Sequence, residues 1–379
     1  NQQIASISVS GTGAANTIIS TSPTARTFTI NNMAANTFSG LVTGNLNLSK
    51  TGLGTLTLSG AGSYSGTTTV ANGCVLVLDF AANNSSKLGA GATTLQGATL
   101  NVLGSASAPT VQNLNGLTIN VGHNDIAVTS GAGQTATLNL GSITRAAPAT
   151  VDFTLPATGA ITTTTGLSNG IFSGGYATVG MHWASKSGND IVALASYGAF
   201  TQSGTNTNNE QLTGSSSLTG AKTTNSLRID TTGAGQSLNL AGNTLALTNR
   251  GLLFVGAHDY AISGGGQIGN SGQELVLHAK GAGVLEVGSA ISGGGGSFTK
   301  SGTGTVLLSA ASSYTGATTI NQGTLRMGLA NGLSASTPVS VAAAGTWDLD
   351  GHSQTVSTFG GAGTIDLGSA TLTYGGTGS

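Results

Sequence analysis

The chain has twelve carboxylates and five histidines among 379 residues, so any chemistry it performs must come from a few local groupings. The densest is Trp347-Asp348-Leu349-Asp350-Gly351-His352. On a strand, alternate residues share a face. That places Asp348, Asp350 and His352 on one side and Trp347 and Leu349 on the other. Two carboxyls flanking a sugar bond are what glycoside cleavage requires, and neighbours on one strand can approach that spacing. The plainer reading puts Trp347 and Leu349 in a core and leaves the polar residues solvated, and this is the one we expect. His258-Asp259, His278, His123 with Asp125, and His182 beside Trp183 are isolated groupings on strands and turns. A metal site needs three or four converging ligands, and no such spacing is present. GGxGxD calcium repeats, GxSxG, a P-loop and a strand–helix GxGxxG are also missing. We therefore nominate no catalytic, cofactor-binding or metal residues. Cys74 is the sole cysteine, which excludes an intrachain disulfide. Between Gly73 and Val75 in an apolar run, it reads as a small buried hydrophobe.

Two lysines stand out because their surroundings recur. Residues 50–75, KTGLGTLTLSGAGSYSGTTTVANGCV, fall on residues 300–325, KSGTGTVLLSAASSYTGATTINQGTL, at a shift of 250 with 13 identities in 26 pairs and no gap. The shared positions include Lys50/Lys300, Gly52/Gly302, Gly54/Gly304, Tyr64/Tyr314, Gly66/Gly316 and Gly73/Gly323, and we take these as structural residues of a repeat. Each lysine either caps the end of a repeat or makes a salt link to a neighbour; the cap is preferred. What recurs is a grammar of Gly-bounded strand, small-residue turn, Tyr, Gly, β-branched strand, Gly and apolar strand, which points to a long repetitive β architecture.

Composition agrees. Glycine makes up 62 of 379 residues, charged residues 6% and aromatics 4%, against about 7% Gly and about 25% charge in ordinary domains. Period-2 alternation runs nearly throughout, in segments of four to six residues bounded by Gly, Asn or Ser. One face carries Leu, Ile or Val; the other carries Thr, Asn or Ser. Residues 4–9, 27–30, 55–58, 74–78 and 98–102 show it early, and 237–240, 284–287, 346–349 and 371–374 show it late. Strands this short and this frequent fit a right-handed parallel β-solenoid (a β-helix) better than a chain of sandwiches. With rungs of roughly 20–25 residues about 4.8 Å apart, the chain would be an elongated rod of roughly 70–90 Å. The rhythm weakens over 149–197, and 202–209 is a polar linker candidate, so an interruption is expected near 149–210. We divide the chain into a first solenoid segment, 1–200, and a second, 201–379.

The KxGxGTLxLSGxxxYSGxTTVxxGxL grammar resembles the autotransporter-associated β-strand repeat of large bacterial surface and secreted proteins. The first copy departs from it at Cys74 and the second at Leu307 and Ala310. The resemblance implies a β-helical passenger, exported and bacterial; the opening Asn1, with no basic-then-apolar leader after it, reads as a leader removed or as a piece of a longer product. The net charge of −1 makes no electrostatic case for nucleic acid. No apolar run approaches the ~20 residues of a membrane helix, and residues 374–379 show no barrel strand, so no membrane insertion is expected. The leading expectation is a non-enzymatic extracellular structural protein, a subunit of a fibre, sheath or surface layer that pairs with itself head to tail through open strand edges. The alternative is an adhesin that binds surface glycans by stacking Trp183, Tyr176 or Trp347 on sugars. A polysaccharide lyase or hydrolase stays open as a third reading.

Overall fold

The computed structural model describes residues 2–6, 16–71, 73–269 and 272–375. Among these, all regular structure is β-strand, and no helix is long and apolar enough to cross a membrane. The opening strand expected over 4–9 is seen only as Gln2–Ile4; residues 7–9, and 376–379 at the other end, lie outside the described residues. The fold is a parallel β-solenoid. It forms two compact units: Asn1–Gly166 with Thr178–Gly180 and Ala184–Ala193, and Leu167–Ala177 with Met181–Trp183 and Leu194–Ser379.

In the first unit each circuit of the chain lays strands on up to three faces. One face stacks Arg26–Asn31, Leu46–Thr51, Thr68–Val70, Thr93–Leu95, Leu117–Ile119 and Ile143–Arg145, all parallel. The next stacks Asn36–Phe38, Thr55–Leu58, Val75–Asp79, Thr99–Leu103, His123–Thr129 and Thr150–Thr154. Register gives the circuit length directly: Arg26 pairs with Leu46, 20 residues on, and Leu117 with Ile143, 26 residues on. Because side chains alternate, register also sorts them. Leu56, Leu76, Leu100, Ile126 and Phe153 lie in one inward column, each at most 1% exposed. Thr57, Val77, Asn101, Ala127 and Thr154 form the outward column beside it. Burying each large side chain contributes about 1.5–3 kcal/mol, so the core is a set of aliphatic rows repeated at every rung.

In the second unit one ladder of parallel strands runs from Gly198–Ala199 to Thr364–Asp366. Ser226 pairs with Gly251 and Phe298 with Thr318, circuits of 25 and 20 residues. Thr318–Met327 and Val339–Asp348 are long because they continue round a corner, and their register shifts there between Ile320 and Gln322. A bulge of this kind bends a strand while keeping its pairing on either side.

The irregular stretch is shorter than 149–197. Thr150–Thr154 and Gly159–Thr162 are ordinary rungs; the rhythm fails only from Thr163, where alternation gives way to a run of threonines and glycines. Residues 202–209 are not a linker: Gly204–Thr205 pairs in parallel with Lys222 and Thr223. Within the second unit, Trp183 is fully buried against Gly251, where a Cβ would stand 2.8 Å from the indole. Ile171, Leu253 and Val255 complete this small core.

Candidate functional site

The two copies of the repeat place a lysine inside an aliphatic column. Lys50 lies in register between Ile30 and Val70, and Lys300 between Leu277 and Ile320; both residues are fully buried. The ammonium of Lys300 donates to the carbonyls of Gly302, Gly304 and Gln322 at 2.5, 2.6 and 2.7 Å. Burial pulls its pKa down to about 7. Lys50 donates to Thr51 O at 2.8 Å and Gly52 O at 2.5 Å. Its pKa is also lowered by burial, while the neighbouring Cys74 works the other way. Each lysine therefore satisfies carbonyls that turn inward where the strand ends, which a buried backbone requires. Gly52 and Gly302 make those turns, at φ of 78° and 77°, with a carbonyl of the preceding rung 2.5 and 2.3 Å from where a Cβ would stand. Gly73 and Gly323 also have positive φ; at Gly54, Gly66, Gly304 and Gly316 the preceding rung leaves no room for a side chain. Tyr64 and Tyr314 are buried and share hydrogen bonds with Thr68 and Thr318 at 2.6 and 2.7 Å. Burial pushes the Tyr64 phenol up to about 12 and raises that of Tyr314.

The gapless match of the copies does not survive the structure. Val75 opposes Thr55, whereas Thr324 opposes Thr305, so Val75 and Thr324 are equivalent and Cys74 is an extra residue. Beyond it the phase differs by one: Leu76 and Leu78 match Leu325 and Met327, all buried. A one-residue slip in a strand exchanges its faces, and the Cys74 insertion keeps both copies apolar inward. The buried Cys74 thiol donates to Gly52 O at 3.0 Å, and burial raises its pKa. The signal was available, since CVLVLD and TLRMG alternate with opposite parity after the shared glycine.

Other residues with chemical potential are dispersed. Trp347 and Leu349 are fully buried. Asp348 is paired with Arg326 at 3.0 Å and accepts the Asp350 amide at 3.0 Å. The strand ends at Asp348 and Asp350 lies on a turn at φ 44°, so the shared face expected for Asp348, Asp350 and His352 stops at its first member. His278 is buried, with Nε2 2.9 Å from Gly175 O and its ring edge-on to Trp183. His123 contacts Thr150 Oγ1 at 3.1 Å and Asp125 at 3.2 Å. His182 is held below its ordinary pKa by burial and then by Arg228. Among the described residues no three His, Cys, Asp or Glu side chains gather as metal ligands would. The aromatics expected to stack on sugars are enclosed: Trp183 and Trp347 are 0% exposed and Tyr176 4%. Their size places them in cores, where the buried area is worth most.

A lateral groove on the second unit was not anticipated. Ala261, Glu286, Leu307, Arg326, Asp348 and Asp366 form one outward row in register. Thr305, Thr324, Thr346 and Thr364 form the row beside it. A groove of about 380 Å³ opens here, with Gln236, Asp259, Tyr260, Glu286, Leu307 and Arg326 among its lining. Glu286 accepts from Ser309 at 2.5 Å and Asp259 from the Val284 amide at 2.7 Å. In a chain with 6% charged residues, this strip gathers several of them. Aligning VLEV, TVLL, TLRM, TWDL and TIDL by parity would have exposed it.

A family model, the passenger-associated-transport-repeat, matches residues 48–78 and 298–327. The first match is one residue longer than the second, as the Cys74 insertion requires. An adhesin of Brucella suis biovar 1 (strain 1330), the BmaC autotransporter, is 34% identical over 306 residues, 72% of this chain and 9% of that protein. The chain thus spans less than a tenth of that relative. No solved structure matches.

Proposed function

From a chain that carries the autotransporter-associated repeat twice within a passenger-type β-solenoid, we propose an adhesive segment of a passenger displayed at a bacterial surface. The observation that carries this reading is the 34% identity to an autotransporter adhesin across 72% of the chain. The physical motive is that a solenoid turns its aliphatic rows inward and offers long polar faces to a partner. Those faces, including the charged groove of the second unit, are the contact surfaces in this reading, not the buried aromatics. Export with later removal of a leader belongs to the same proposal. Beads coated with the purified chain should adhere to host cells or extracellular matrix well above beads coated with an unrelated β-solenoid. Equal retention of the two would contradict the proposal.

A further inference from the structure

The third face of the first unit is interrupted. Thr17–Ser20, Leu41–Gly44 and Gly62–Tyr64 stack at one end of it, and Thr110–Asn113, Ala136–Asn139 and Gly159–Thr162 at the other. The intervening circuit, residues 81–92, lays no strand on this face. Side chains hold it instead. Gln112 Oε1 accepts the Lys87 amide at 2.8 Å, Asn115 donates to Ala90 O, and Asn84 accepts from Thr110 at 2.9 Å. Backbone bonds from Gly62 to Ser86 O and from Ala90 to Tyr64 O tie its edges. The missing strand leaves a hollow of about 390 Å³, with Ser63, Ser86, Leu88, Ala90, Asn113 and Asn115 in its lining.

None of the residues lining this hollow is charged. Lys87, the nearest cation, turns away: its ammonium donates to Ser59 O at 3.1 Å and to Asn83 O, and lies over the Phe80 ring. The volume falls in the lower range of small-ligand pockets, about 300–1,000 Å³, so it suits a sugar ring or two. Uncharged polar groups continue along the stack from both ends of the hollow. On one side Ser63 donates to Thr43 at 2.8 Å. On the other Asn139 donates to Asn113 at 2.6 Å and Thr162 to Asn139 at 2.7 Å. Rungs repeat about every 4.8 Å, close to the length of one pyranose ring in an extended chain. A charged ligand would lose its hydration here without gaining an opposite charge, whereas a neutral sugar exchanges hydroxyl hydrogen bonds with water for similar ones.

We propose that this hollow binds an uncharged sugar unit of a linear polysaccharide lying along the stack of rungs. The inference rests on the adhesive reading and gives it a ligand class and a site. The test titrates the full chain, by calorimetry, with neutral hexa-saccharides of glucose, mannose, galactose and N-acetylglucosamine, and with an oligouronate. At least one neutral oligomer should bind, and the oligouronate should not. The pair Asn113→Ala and Asn115→Ala should weaken that binding at least tenfold, and so should Ala90→Trp, which fills the hollow from its exposed rim. Ser203→Ala, at an exposed position of the other unit, should leave it unchanged, and circular dichroism of each variant checks folding. Binding of the oligouronate alone, no neutral binding, or neutral binding indifferent to both the double variant and Ala90→Trp would overturn the inference. Bead adhesion that survives in the double variant would sink this site while leaving the adhesive reading intact.

Discussion

The two copies of the repeat carry the same lysine in the same column and treat it differently. Lys300 is closed in by three carbonyls, between Leu277 and Ile320. Lys50 has two carbonyls and the inserted Cys74 thiol near it. The constant part of the motif is thus an amine that satisfies inward-turned carbonyls at a corner. The variable part is one residue whose insertion changes the phase of the following strand without changing which side chains are buried. Parity is therefore what the fold protects, and sequence spacing is what it can vary.

That contrast can be broken most severely by deleting Thr324. The second copy has no spare residue, so Leu325, Arg326 and Met327 would exchange faces. Cooperative unfolding of the second unit should be lost, as seen in a urea titration by circular dichroism. Next is lysine truncation. Lys300→Ala takes a donor from three carbonyls, of which Gly304 O keeps the Thr324 amide at 3.2 Å, and opens a cavity, and should cost about 3–5 kcal/mol from the second unit's transition. Lys50→Ala takes a donor from two carbonyls, of which Gly52 O keeps the Cys74 thiol at 3.0 Å, and should cost about 2–3 kcal/mol from the first. Equal costs would remove the distinction drawn here.

A third effect is pH-dependent. Lys300 has a folded pKa of about 7 against 10.5 for the free side chain, so between those values the unfolded chain binds more protons than the folded one. Stability of the second unit should then rise with pH across that window and fall as pH drops toward 7. The raised phenols of Tyr260 and Tyr314 act in the opposite sense above about pH 10, where the unfolded chain ionises first, so the rise is cleanest between pH 7 and 10. In Lys300→Met, midpoints measured at pH 7 and 9.5 should converge. The smallest effect belongs to deletion of Cys74, which gives the first copy the phase of the second. Its midpoint should move by less than about 1 kcal/mol, and unfolding of the variant would show that Cys74 is more than a spacer.

The alternation of Leu56-Thr57-Leu58 and its many relatives made the solenoid legible, because one aliphatic row per rung is a local property of a strand. The rung length was also within reach, since glycines mark the corners. What escaped depends on which rung lies above which. Asp348 looked like a member of a polar trio until register gave it Arg326 as a partner. Cys74 looked like a substitution until pairing made it an insertion. Trp183 and Tyr176 looked like exposed platforms because nothing local announces that a segment folds back over Gly251. The hollow at residues 81–92 did leave a trace, an unbroken loss of alternation in AANNSSKLGAGA, but a missing strand becomes a site only when its neighbours are known.

The central claim is that a buried lysine amine can sit in an aliphatic column because backbone carbonyls receive its N–H groups, while burial lowers its proton affinity. A titration of the lysine side-chain nitrogens by ¹⁵N NMR reads this directly, with Lys300→Met assigning the signal. Six lysines are present; the Lys300 signal should titrate near pH 7 and Lys50 below its ordinary value. If Lys300 instead titrates near 10.5, the value of the free side chain, its amine is in water and the account of the repeat is wrong.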